Sequence, residues 1–189
     1  AKKKRDQIVA IDLGGRTTKA VFLQRRSEGF VLSRYAVLDA PIYEKTLSVE
    51  LLTEHLKSIC QSLEAKGKPV ALAVGLNEAM VRHVDMPRMP IEDMRLVLKN
   101  NSKNYLQQDL PNYVFDCFVI PANTLATPAD AAKIANTAVM KQKVLVAGAK
   151  RQAIEDYSAA IKAAGMVADC VIPGPPLRGT LSPPATSIT

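Results

Sequence analysis

The chain has 189 residues, 48% of them apolar and 23% charged, close to the globular average, which excludes a largely disordered chain. No apolar run reaches the roughly 18 residues of a bilayer span. The basic Lys2-Lys3-Lys4-Arg5 leads into Ile8-Val9-Ala10-Ile11-Asp12, too short an apolar stretch for a signal peptide, so a cytoplasmic protein is expected. The net charge is +7, yet aromatics make up 5% and Trp is absent. A basic stripe with interleaved aromatics is missing, which argues against a dedicated single-strand nucleic-acid binder. The basic arm, residues 1–7, reads as a solvated terminus or a weak contact for an anionic surface. Cys60, Cys117 and Cys170 are odd in number and widely spaced, and His55 and His83 stand apart. Neither a disulfide framework nor a structural zinc site fits, and buried reduced thiols do.

In chain order, Ile8–Leu13 predicts a strand ending in Asp-Leu-Gly-Gly. Thr18–Gln24 predicts a second, with Ala20 and Phe22 on one face and Val21 and Leu23 on the other, and Phe30–Leu38 a third. Ser48 is placed to N-cap a helix with Glu50 in its first turn. Leu52, Leu56, Ile59 and Leu63 follow at helical spacing, and Gly67 is expected to stop it. Val70–Val74, nearly all apolar, reads as a strand buried on both faces. Met80–Val84 predicts a strand closed by Met86-Pro87. Pro90 is expected in the first turn of the next helix, which runs to about Gln108 by pattern. Tyr113–Ile120 is a strong strand signal. Residues 121–141, rich in Ala, Thr and Asn, read as a long excursion. Lys143–Gly148 predicts a strand, Arg151–Ala164 a helix ended by Gly165, and Met166–Ile172 a last strand. Residues 173–189 hold Pro173, Pro175, Pro176, Pro183 and Pro184 and read as an extended, proline-rich tail rather than a packed element, of native or non-native origin.

Chemistry concentrates in Ile11-Asp12-Leu13-Gly14-Gly15-Arg16-Thr17-Thr18-Lys19. This is not a P-loop, because the glycines join two strands rather than a strand and a helix. A tight Gly-rich hairpin can turn backbone N–H groups into an anion-binding concavity. Gly14 and Gly15 would let phosphate oxygens approach. Thr17 and Thr18 would add hydroxyls, and Lys19 a positive charge. Asp12 would hold Mg²⁺ through a water, as a hard cation that keeps its waters prefers. The same residues also suit an ordinary hairpin whose aspartate caps the turn.

This hairpin resembles the first phosphate loop of the actin/Hsp70/sugar-kinase superfamily. The order of further segments resembles the PilM family more narrowly: Val70–Gly75, then Val81–Pro87, a helix, Tyr105-Leu106, Pro111 and Asp116, and then Lys143–Lys150 with Ile154–Tyr157 and Ala163–Met166. These are actin-like cytoplasmic proteins of type IV pilus assembly, related to the division protein FtsA. The resemblance covers residues 8–172. It implies an α/β fold: an actin-like (ribonuclease H-like) first lobe at 8–77, carrying the phosphate-loop hairpin, with an inserted small α+β subdomain at 78–172. It implies a scaffold that binds a short peptide of an inner-membrane PilN-like partner within 78–172, at the inner face of the inner membrane, with self-association as a further property. ATP and Mg²⁺ would be bound by the full-length protein. The chain departs from the family at Arg16, where a small residue is usual, in the polar run Asn100–Asn104, and at Asp169, which falls early. It has one Asp-x-Gly and no second phosphate loop, so weak or absent nucleotide binding and no measurable ATPase are expected of it. The alternatives from the same superfamily are an FtsA-like division protein and a sugar-kinase-type phosphotransferase.

Overall fold

The computed structural model describes residues 6–27, 29–42, 47–75, 79–121 and 141–174. The chain divides into two compact units, one built from residues 1–77 and 156–189, the other from 78–155.

In the first unit, β1 (Gln7–Leu13), β2 (Thr17–Arg26) and β3 (Gly29–Asp39) form an antiparallel meander. Helix α1 (Val49–Leu63) follows. β4 (Pro69–Val74) then pairs parallel to β1, and β8 (Val167–Pro173) pairs parallel to β4. The result is a five-stranded mixed sheet in the order β3-β2-β1-β4-β8. Alternation along the strands puts Val9, Ile11, Ala20, Phe22, Val70 and Leu72 on one face, all 3% exposed or less, as period-2 geometry requires. α1 closes this face with Leu52, Leu56, Ile59 and Leu63. Burial of each such side chain is worth about 2 kcal/mol.

Ser48 caps α1, its Oγ accepting the Leu51 N–H at 3.2 Å. The helix stops earlier than the position of Gly67 suggests: Glu64 takes the left-handed conformation (φ 51°), and the Ala65 N–H returns to the Cys60 carbonyl. β4 is also only half as buried as its sequence implies. Its even-numbered residues are inside, while Ala71 and Ala73 on the other face are partly exposed.

In the second unit, β5 (Ala79–Pro87), β7 (Lys141–Lys150) and β6 (Tyr113–Val119) form an antiparallel sheet in the order β5-β7-β6. α2 (Ile91–Leu106) packs on it. Met86, Met94, Leu98, Phe115, Val144 and Val146 make its core, with Met80 and Met89 packed alongside. The methionines are thus core residues. Met86-Pro87 does not close β5 but belongs to it, Met86 pairing with Gln142 and Pro87 with Lys141. Pro90 is the N-cap residue (ψ 150°), one position before the expected first turn. The polar run in α2 has a structural cause: Asn101 breaks the helical geometry (φ −147°, ψ 42°). Ser102, 3% exposed, accepts the Leu110 N–H at 2.9 Å and ties the following loop to the helix.

α3 (Arg151–Ala163) leads from β7 to β8. Gly165 ends it at φ +84°, its N–H on the Lys162 carbonyl, a conformation that favours glycine. The inserted subdomain was expected to extend to residue 172. Because β8 joins the first sheet beside β4, the second unit ends at Glu155 instead. The excursion at 122–140 and the tail at 175–189 lie outside the described residues.

Candidate functional site

The glycine hairpin joins β1 to β2 in the first unit. Antiparallel pairing places Asp12 opposite Lys19 and Leu13 opposite Thr18. Directly opposed residues share a sheet face, so Asp12 and Lys19 stand together, both exposed. Gly14 is required by geometry: a Cβ there would lie 2.6 Å from the Thr17 carbonyl oxygen, whereas one on Gly15 would meet nothing within 4 Å. The Gly14 N–H turns back onto the Asp12 carbonyl at 3.1 Å, so it closes the turn rather than contributing to a phosphate nest. Arg16 is exposed at the tip, and its carbonyl accepts the Ala40 N–H at 2.9 Å, anchoring the end of β3. Thr17 is half-buried.

Thr18 departs from the role expected of it. It is fully buried (0% exposed) on the α1 face, with Ala20 and Phe22. Its hydroxyl is 2.8 Å from His55 Nε2 on α1. It cannot face the same anion as Lys19, one residue on and on the opposite face. His55 is half-buried, and desolvation lowers its pKa below the ordinary 6.5. The Thr18–His55 pair was missed in the sequence, although parity with Ala20 and Phe22 was the signal. Among the described residues, no three His, Cys, Asp or Glu side chains converge to hold a metal ion.

The second unit carries a groove. Glu92, Arg95, Leu96 and Lys99, one face of α2 by their spacing, line a cleft of about 300 Å³ together with Tyr113, Val114 and Phe115 of β6 and Arg151. A second cleft of about 460 Å³ shares Tyr113 and Arg151 with it and continues past Pro111 and Asn112. β6 is the outer strand of its sheet among the described residues. The Ile120 N–H bonds to Lys143 and the Asn112 carbonyl accepts from Arg151. By the alternation of an antiparallel ladder, the N–H and C=O groups of Tyr113, Phe115, Cys117 and Val119 therefore point away from β7. Asp116 Oδ1 takes the Cys117 N–H at 2.8 Å and pairs with Arg95 Nη2 at 2.6 Å. The Asp116 hydrogen bond and charge raise the Arg95 pKa. Burial, then the Asp116 charge, raises that of the Cys117 thiol.

No family model matches the chain, and no curated protein matches it in sequence. Among solved structures of similar fold is a chain of a PilM–PilN type IV pilus biogenesis complex, with TM-score 0.66 and 17% identity, over 88% of this chain and 46% of that one. Another is the cytoplasmic domain of EpsL, an inner membrane component of the type II secretion system of Vibrio cholerae. Its TM-score is 0.54 and its identity 12%, over 88% of this chain and 57% of that one. The chain thus spans about half the length of the solved chains it matches. With the strand order above, the likeness shows the fold, an α/β arrangement with a mixed sheet and, among the described residues, three helices.

Proposed function

We propose that this chain is the first lobe and recognition subdomain of an actin-like scaffold of type IV pilus assembly, cytoplasmic and facing the inner membrane, that holds a short extended peptide of a PilN-like inner-membrane partner. The observation that carries this reading is the outer edge of β6. With the Tyr113 N–H held by the Leu110 carbonyl and the Cys117 N–H by Asp116 Oδ1, it offers the Phe115 and Val119 N–H groups and its outward carbonyls beside a cleft walled by Leu96, Tyr113 and Phe115. A peptide added to a sheet edge gains affinity from main-chain bonds and specificity from such side-chain walls. With Arg95 paired to Asp116, Lys99 and Arg151 still outnumber Glu92 in the cleft, so the peptide that fits is neutral or acidic.

The hairpin fits a nucleotide only in part. Lys19, with Gly15 and Thr17 at the turn, would face phosphate, and Asp12 would hold Mg²⁺ through a water. Gly14 would allow the turn, and Thr18 is committed to His55. ATP bound there supplies a phosphoryl group. Phosphoryl transfer needs groups around the γ-phosphate and a base or positioned water, and this chain brings one phosphate loop, so no measurable ATP turnover is expected. The decisive experiment is calorimetric titration with the cytoplasmic peptide of the PilN-like protein, with Mg·ATP in a parallel cell. Saturable peptide binding that Lys99→Ala and Leu96→Ala each weaken about tenfold, at about 1.4 kcal/mol apiece, is the expected result. Absent peptide heat, or binding indifferent to both substitutions, would refute the assignment.

A further inference from the structure

We infer that the end of the first unit opposite the glycine hairpin is a contact surface for an anionic lipid bilayer. Strand pairing sets the starts of β1, β3, β4 and β8 and the finish of β2 in one row: Gln7 lies opposite Gln24, Arg26 opposite Gly29, and Pro69 opposite Val167. Basic residues collect along this row. Arg25 and Arg26 end β2, Lys66 and Lys68 sit in the turn before β4, and Lys162 lies in the last turn of α3. All are exposed except Lys68, which is half-buried with its Nζ on Gln7 Oε1 at 2.6 Å. The Asp6 carbonyl accepts the Arg25 N–H at 2.7 Å, which ties the chain just before β1 to the end of β2. Among the described residues, the acidic ones at this end are Asp6, Glu64, whose charge Arg34 already pairs at 2.7 Å, and the part-buried Asp169 near the start of β8. The opposite end is balanced, with Asp12 and Asp39 against Arg16 and Lys19.

Charge alone would serve any polyanion. What selects a bilayer is the apolar surface set into the same corner. Phe30 and Leu32, which share one face at the start of β3 opposite Arg25 and Leu23, are 45% and 53% exposed, and the Arg25 guanidinium lies 4.7 Å from the centre of the Phe30 ring. Basic side chains flanking a small apolar wedge suit a headgroup layer, where cations meet lipid phosphate and the wedge enters the acyl boundary. A nucleic-acid strand would instead ask for several stacking rings, and Phe30 is the aromatic exposed here. The contact is reversible and salt-sensitive by nature. It goes beyond peptide capture and is tested without any protein partner, so either reading can fail alone.

The test is flotation of the full chain with vesicles of phosphatidylcholine, or of phosphatidylcholine and phosphatidylglycerol in equal parts, at about 0.05 M and about 0.5 M salt. Binding confined to the mixed vesicles at low salt is expected. Arg26→Gln with Lys66→Gln should weaken it about 25-fold, about fivefold per charge. Lys103→Gln with Lys141→Gln, an equal charge change on the other unit, should not. Because the chain has no Trp, Leu32→Trp, on the face of Phe30, gives a single emitter whose emission should shift to the blue on the mixed vesicles. Equal binding to neutral vesicles, equal loss in both double variants, or an unshifted Trp would overturn the proposal. So would tighter binding of a poly-dT oligonucleotide through Arg26 and Lys66.

Discussion

Replacing Thr18 by valine separates two accounts of the hairpin. Valine keeps the shape of a fully buried side chain and removes only the hydroxyl that lies 2.8 Å from His55 Nε2. A hydrogen bond of this kind contributes about 1 kcal/mol net, and a polar group left unpaired in the interior costs about 1–3 kcal/mol. His55 is half-buried and regains water on its open side, which places the cost near the lower value. For a chain of this length, about 1 kcal/mol lowers the melting temperature by about 2–4 °C. A cycle with His55→Leu should return a coupling of about 0.5–1 kcal/mol, since the two groups touch. The pair also has a pH signature. Burial depresses the folded-state pKa of His55, so the unfolded chain binds the proton more readily. The stability tied to a neutral His55 is complete above pH about 6.5 and is lost as pH falls through the lower folded value. His55→Leu should flatten that part of the curve. The assay is thermal unfolding of the parent chain and the three variants of the cycle from about pH 7.5 to about pH 5, with Mg·ATP titration alongside. Unchanged stability in Thr18→Val with weakened nucleotide binding would refute the reasoning and return Thr18 to the phosphate side.

The other predictions concern backbone and packing. Gly14→Ala should destabilise by about 1–3 kcal/mol, because the hairpin must shift to clear the Thr17 carbonyl. Gly15→Ala, with open space around it, should change the urea midpoint little. On β7, a Cβ at Gly148 would sit 2.9 Å from two Phe115 ring carbons and 3.1 Å from Met80 Cγ. Gly148→Ala should therefore cost about 1–3 kcal/mol, and adding Phe115→Leu should recover part of it; a double variant no better than the single would count against this packing. Ser48→Ala removes the α1 cap and should cost about 1 kcal/mol by denaturant titration. Alkylation of the native protein should leave Cys117 and Cys60 slow, both buried, the former with its thiol pKa raised.

Elements with a repeating period were legible in the sequence. The α1 stripe and the alternation in β2 name the core residues that the structure buries, because a period fixes a face without knowledge of the partner. What escaped was set by pairing over distance. Nothing local in Met166–Ile172 distinguishes a strand of the second sheet from a strand of the first. The choice is made by β4, whose parallel edge accepts β8 from Pro69 to Val74. Likewise, Met86-Pro87 resembles a strand stop, yet Pro87 ends a strand at the outer edge of its sheet, where a missing N–H costs nothing. The polar run at Asn100–Asn104 reads as an unusual helix face until Leu110 is seen to need Ser102.

The hairpin shows the same division within one motif. Asp12, Gly14, Gly15, Thr17, Thr18 and Lys19 fall within residues 12–19, and composition alone treats them as a single anion site. A strand alternates its faces, so consecutive residues cannot all serve one ligand. Pairing Asp12 with Lys19 leaves Thr18 facing α1, where a hydroxyl without a partner would be costly. His55 supplies that partner from a helix whose N-terminus Ser48 fixes. The buried face of the hairpin is thus bound to α1 by a polar contact, and its exposed face keeps a carboxylate and an ammonium side by side. An anion taken up at Lys19 therefore also meets the charge of Asp12 at the same register position, unless a cation is bound to the carboxylate. Anion affinity at the hairpin should accordingly rise when Mg²⁺ is present, and Asp12→Asn should remove that dependence while leaving the Thr18–His55 contact and the melting temperature nearly unchanged.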